Sequence, residues 1–216
     1  MPISDDVTTL QRDMREMFGD RLRSIVVYDI TDRRPGTPQP TLVIVEALTP
    51  ADLRACAGLV AKWHEAGLAT PLILEGAEFA RSLDAFPYEF GAILADHTIV
   101  FGESPFGELQ VDPADMRRAC EVQARSHLLH LREGYIETQG RSDALADLIA
   151  RSAAPLSALL RNVARLRGTH MTDGVLAEVA GLYGKELSSD TARRLFPEYL
   201  SAIEYLTNEI DRWGRV

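Results

Sequence analysis

Leu22-Arg-Ser-Ile-Val-Val-Tyr-Asp-Ile30 is a β-branched run that stops on an acidic residue, and it reads as a strand. Ahead of it, apolar residues at helical spacing predict a helix over 7–18 that closes at Gly19. Behind it, Thr41-Leu-Val-Ile-Val-Glu-Ala47 is a second strand, apolar enough to be buried on both faces. Thr49-Pro50 then supplies an N-cap and a first-turn proline. The helix they open is expected to turn Leu53, Ala57, Val60, Ala61 and His64 inward and to end at Gly67. Short strands follow at 71–74 and 98–101. Strand, helix, strand in this order is an α/β (α+β) domain with a mixed sheet and flanking helices.

The period changes after Gly102. Asp112-Pro113 starts a long helix with Met116, Cys120, Ala124, His127, Leu128, Leu131 and Tyr135 along one face. Ser142 is expected to cap a second helix, which Pro155 should kink or split. Shorter helices are expected over 173–183 and 189–196, and a last one carries Leu200, Ile203, Leu206, Ile210 and Trp213. Such stripes must pack on each other, so residues 111–216 should be an antiparallel helical bundle after an α/β domain over 1–110.

Charge divides along the same line. Residues 1–110 hold 9 basic and 17 acidic side chains, and residues 111–216 hold 14 and 15. An acidic first domain repels a polyphosphate backbone, which argues against nucleic acid as a partner. No apolar run is long enough to span a bilayer. The polar start over 1–11 reads as neither signal nor transit peptide. Cys56 and Cys120 lie far apart in helical contexts and read as reduced core thiols, so a cytoplasmic protein is expected.

Phe18-Gly-Asp-Arg-Leu-Arg-Ser-Ile-Val-Val-Tyr28 resembles the helix end and first strand of minimal bacterial nucleotidyltransferases. Arg34-Pro-Gly36, Leu42-Val-Ile-Val45 and the segment from Phe86-Pro-Tyr-Glu-Phe90 through Val100-Phe-Gly-Glu-Ser-Pro105 follow the same order. The resemblance runs from about Gly19 to about Arg167, and the later helices resemble the bundles of kanamycin-nucleotidyltransferase-like and HEPN-associated proteins. It implies a Gly-Ser pair after the first strand that grips a triphosphate through backbone N–H groups. It also implies strand carboxylates that hold two Mg²⁺ ions.

Neither device is present. Asp29-Ile30 stands where the Gly-Ser pair belongs, and an anionic Asp there repels phosphate. Gln39-Pro40-Thr41 replaces the paired carboxylates, and the strand over 71–74 offers no third. Asp29, Ile30, Arg34, Gln39 and Thr41 therefore read as positions of a vestigial nucleotide pocket in a degenerate member. No cofactor, catalytic residue or metal site is expected, and Mg²⁺ with a nucleoside triphosphate enters only if the chain is a divergent enzyme.

Three other patterns compete. Asp29, Glu46 and Glu75 end strands and would converge on a cation in a parallel sheet, but an antiparallel first pair disperses them. His127 and His130 share a helix flank and could ligate a metal with Glu133 or Cys120. Arg125 with His130, and Arg165 with His170, match the Arg-x4-His spacing of HEPN ribonucleases, a spacing that arises easily in Arg-rich helices. The favoured expectation is a non-catalytic protein acting through protein–protein contact, as a homodimer or as the neutralising partner of another protein. The alternatives are a divergent nucleotidyltransferase for a cationic small molecule and a nucleotide or ligand sensor. Tyr199 and Tyr205, beside the apolar face of the last helix, suggest surplus surface and a two-fold homodimer.

Overall fold

Strand β1 (Leu22–Tyr28) is a central strand in the computed structural model, which describes residues 5–31, 36–168 and 174–213. The sheet order is β3-β2-β1-β4, with β2 at Thr41–Val45, β3 at Leu72–Glu75 and β4 at His97–Gly102. β1 pairs antiparallel with β2 and β4, whereas β2 and β3 run parallel. The chain divides into two compact units, Met1–Val111 and Asp112–Val216.

Alternation along the strands sends side chains into two cores. On one face Ile25, Val27, Val43 and Val45 pack with Val7, Leu10, Met14 and Phe18 of α1 (Asp5–Phe18). Cys56 of α2 (Pro50–Ala57) and Trp63 of α3 (Val60–Glu65) complete that core. On the other face Val26, Leu42 and Ile44 meet Phe79 of α4 (Gly76–Ser82), Phe90 of α5 (Pro87–Ala95) and Phe106. Phe79 lies 4.8 Å, centroid to centroid, from both Phe90 and Phe106, edge-to-face with the first, as aromatic quadrupoles favour, and tilted against the second. β2 is buried along its whole length, as its unbroken apolar run requires. At the end of β4 a Cβ on Gly102 would lie 1.9 Å from the Arg23 carbonyl oxygen, so only glycine fits there.

The second unit is helical, with no strand among its described residues. Contacts between α6 (Pro113–Glu137) and α9 (Ser189–Arg212) join Arg117 to Ile210, His127 to Tyr199 and Tyr135 to Phe196. Numbers that rise on one helix and fall on the other mean an antiparallel pair. The contacts of α7 (Ser142–Arg167) with Tyr199 and Trp213 rise together, so α7 and α9 run the same way, linked through α8 (Val175–Ala180). Gly134 brings α6 close to α7, since a Cβ there would lie 2.5 Å from Leu148 Cδ1. Among the described residues no helix is long and apolar enough to cross a membrane.

Several expected elements shift. The helix after Thr49 is two helices, and Leu53, Ala57, Ala61 and His64 face solvent while Asp52, Cys56 and Trp63 are buried. The bidentate Arg21–Asp52 pair at 2.9 Å rotates that helix, because Asp52 both closes its capping box and meets Arg21. Helices α4 and α5 lie where no element was expected, since α4 is capped by Glu75 and Glu78 rather than by a preferred N-cap residue. Ser142 begins α7 without capping it, and Pro155 does not split it. Pro197 likewise sits inside one continuous α9 where two helices were expected. Both prolines are exposed, so their rings avoid the core while the buried residues on either side hold the helix together. The helix expected over 173–183 is only Val175–Ala180, and residue 173 lies outside the described residues.

Candidate functional site

The segment leaving β1 turns at once. Asp29 takes a left-handed conformation, φ +54°, which only short polar side chains and glycine adopt readily. Its backbone N–H donates to the Asp96 carbonyl at 3.0 Å. The Asp96 carboxylate then accepts from the Thr31 N–H at 2.8 Å and the Thr31 hydroxyl at 3.1 Å. Ile30 packs against the α1 face of the sheet. Among the described residues no helix follows β1 before β2, so the N–H groups that would face a phosphate are not arrayed at a helix start.

Gln39 is bound from several sides. Its side chain donates to the Tyr28 carbonyl at 2.7 Å and the Pro40 carbonyl at 3.2 Å. Its backbone bonds Gly67 and Ala69 and bridges to Leu68 in parallel. Thr41 is fully buried opposite Val27, and its hydroxyl has no hydrogen-bond partner among the described residues. Tyr28, half-buried beside Asp29, has its phenol pKa raised by burial first and by that carboxylate second. Arg34 lies outside the described residues. Four of the five pocket positions are thus placed: Asp29, Ile30 and Gln39 serve the joint between β1 and β2, and Thr41 lies within the core.

The other strand carboxylates stand at the far end of the sheet. The β1–β2 register pairs Leu22 with Val45, so Glu46 lies beside the start of β1, where it meets Arg23 at 2.6 Å. Glu75 pairs in register with Val45 and accepts from the Leu48 N–H at 3.0 Å. The antiparallel first pair therefore disperses Asp29, Glu46 and Glu75.

In the helical unit, α6, α7 and α9 carry a chain of hydrogen bonds for which no expectation came from the sequence. Ser152 Oγ donates to the Ile149 carbonyl at 2.7 Å, and Tyr199 donates its hydroxyl proton to Ser152 Oγ at 3.0 Å. Tyr199 oxygen is then left to accept from His127 Nε2. Burial, with His130 nearby, lowers the His127 pKa to about 4, and burial raises that of Tyr199. Tyr199, fully buried, is no surplus surface: it is the middle of the unit's core. The residue pair His127 and Tyr199, 72 apart in sequence, had no local signal.

His130 turns instead to Glu133 at 3.2 Å, and Cys120 is fully buried with its thiol pKa raised to about 11 by desolvation. Among the described residues no three His, Cys, Asp or Glu side chains group as metal ligands. Arg125 points to Glu121 at 3.0 Å and Asp211 at 3.2 Å, away from His130, as residues about 140° apart on a helix must. Glu121 is also held by Arg117, and the two arginines together lower its pKa. Arg165 bonds Asn162 at 3.1 Å, while His170 lies outside the described residues.

No family model matches the sequence, and no curated protein matches it. Among solved structures, the chain is similar to the spectinomycin adenyltransferase of Enterococcus faecialis, solved with ATP and spectinomycin, at 12% identity and a TM-score of 0.52. The match covers 96% of this chain and 98% of the other. The fold is nucleotidyltransferase-like.

Proposed function

We propose that the chain is a degenerate member of the nucleotidyltransferase fold that transfers no nucleotide and acts in the cytoplasm through contact with protein. The observation that supports this most directly is the turn after β1, where Asp29 and Thr31 both bond Asp96 and Gln39 bonds the Tyr28 and Pro40 carbonyls, so that these groups serve the fold where the resemblance puts the triphosphate and its metals. An anion at Asp29 in place of glycine adds repulsion to that closure. The bundle, HEPN-like in this reading by its architecture alone, supplies the contact surface. Val122, Leu129 and Ile136 are 59%, 56% and 75% exposed at seven-residue spacing on α6, a stripe suited to a second copy or another helix.

The test is incubation of purified protein with labelled ATP, GTP, CTP or UTP, Mg²⁺ or Mn²⁺, and spectinomycin or an aminoglycoside. No labelled product is expected. Transfer that vanishes on Asp29→Ala would overturn the reading and establish a rebuilt site. Light scattering across a concentration range addresses self-association: a mass that stays at one chain removes the homodimer.

A second reading has its own support. The first unit is strongly acidic, and the similar adenyltransferase was solved with ATP and spectinomycin, a basic molecule. A divergent nucleotidyltransferase acting on a cationic small molecule, or a sensor that binds nucleotide without turnover, would use the same charge. Equilibrium binding of ATP with Mg²⁺ separates both from the non-catalytic reading, which expects none.

A further inference from the structure

We propose that the helical unit binds a small organic anion, a carboxylate whose short apolar body ends in a hydroxyl or N–H donor, in the cavity between α6 and α7. This site is independent of the nucleotide pocket and of the contact role above. The cavity measures about 260 Å³, below the range of drug-sized pockets, and so suits a small molecule. Ser126, His127, His130, Arg151, Ser152 and Pro155 are among the residues that line it. No Asp or Glu lines it, although the chain carries a net charge of −9.

Two polar groups there, the Arg151 guanidinium and His127 Nδ1, are not used by the fold among the described residues. Arg151 is exposed and makes no hydrogen bond or ion pair among the described residues, so its guanidinium is available to a carboxylate in the bidentate geometry it favours. His127 is the second. Because Ser152 donates to a carbonyl and Tyr199 donates to Ser152, Tyr199 can only accept, and the His127 proton must sit on Nε2. Nδ1 then carries a lone pair with no partner among the described residues, and the low pKa of the ring keeps it unprotonated near neutral pH. The same cavity thus offers a cation for an anion and an acceptor for a donor. Leu131 and Leu148 give the cavity an apolar part for the ligand's body.

The probe is 4-hydroxybenzoate, titrated into the full chain by calorimetry and followed by the imidazole nitrogen resonances of His127. Saturable binding that shifts those resonances is expected. Benzoate, without the donor, and 4-hydroxybenzamide, without the charge, should each bind about tenfold more weakly. Arg151→Gln, an exposed change that leaves the helix intact, should cost about tenfold, whereas Arg54→Gln in the other unit should cost nothing. Absence of saturation by about 10 mM, near the weakest affinity worth calling a site, overturns the proposal. Equal loss in the two arginine variants, or binding that leaves His127 unshifted, overturns it as well.

Discussion

The turn after β1 and the network around Tyr199 are both knots of polar side chains, yet they end differently. Behind β1, the polar groups find each other: Asp96 takes both Thr31 donors, Gln39 takes the Tyr28 carbonyl, and the Asp29 N–H is used. Between α6, α7 and α9, a relay from His127 through Tyr199 and Ser152 ends on a backbone carbonyl and leaves one ring nitrogen and one arginine uncommitted beside a cavity. A site needs groups that the fold does not consume. By that measure the bonded groups of Asp96, Thr31 and Gln39 are consumed within the turn, whereas the helical unit leaves His127 Nδ1 and Arg151 uncommitted.

The comparison can be broken first at the cores that support the two knots. Phe79→Ala should destabilise the first unit by about 3–5 kcal/mol, because it empties the fully buried position between Phe90 and Phe106. Urea unfolding followed by fluorescence of the buried Trp63, in a Trp213→Phe background, measures it. An effect under about 1 kcal/mol would mean the second face of the sheet is not closed as described.

Acid distinguishes the two knots next. His127 has its pKa lowered in the folded chain to about 4 by burial, so the unfolded chain binds the proton first. Stability from this group is present above about pH 6.5, falls as the pH drops toward about 4, and is constant below; the loss is on the order of 3 kcal/mol. His127→Gln should flatten that part of the stability profile. Retention of the full pH slope in the variant would place its source elsewhere.

Tyr199→Phe comes third. It leaves His127 Nε2–H without its acceptor and Ser152 without its donor at a fully buried place, at a cost of about 1–3 kcal/mol. Thermal unfolding compared with Tyr205→Phe, whose ring is 68% exposed, separates the network from general loss of a hydroxyl. The smallest effect runs the other way: Asp29→Gly should stabilise by about 0.5–1 kcal/mol by relieving the left-handed backbone, while leaving nucleotide transfer undetected.

Periodicity carried much of the fold. The alternation in β1, the unbroken apolar run of β2, the Thr49-Pro50 start of α2 and the Asp112-Pro113 start of α6 are all local physics, set by side-chain spacing and by which residues can satisfy a helix end. So was the absence of a Gly-Ser pair and of paired carboxylates, which is a matter of residue identity alone. The tertiary structure decided what those residues do instead. It set the rotation of α2, because the Arg21–Asp52 pair joins positions 31 apart in sequence. It ran α7 and α9 through their prolines, because burial on either side outweighs one missing hydrogen bond. It also moved Tyr199 from an expected surface into the core, where it meets His127 and Ser152. Hydrogen bonds between helices depend on which faces meet, and spacing along one helix carries no information about the face of another.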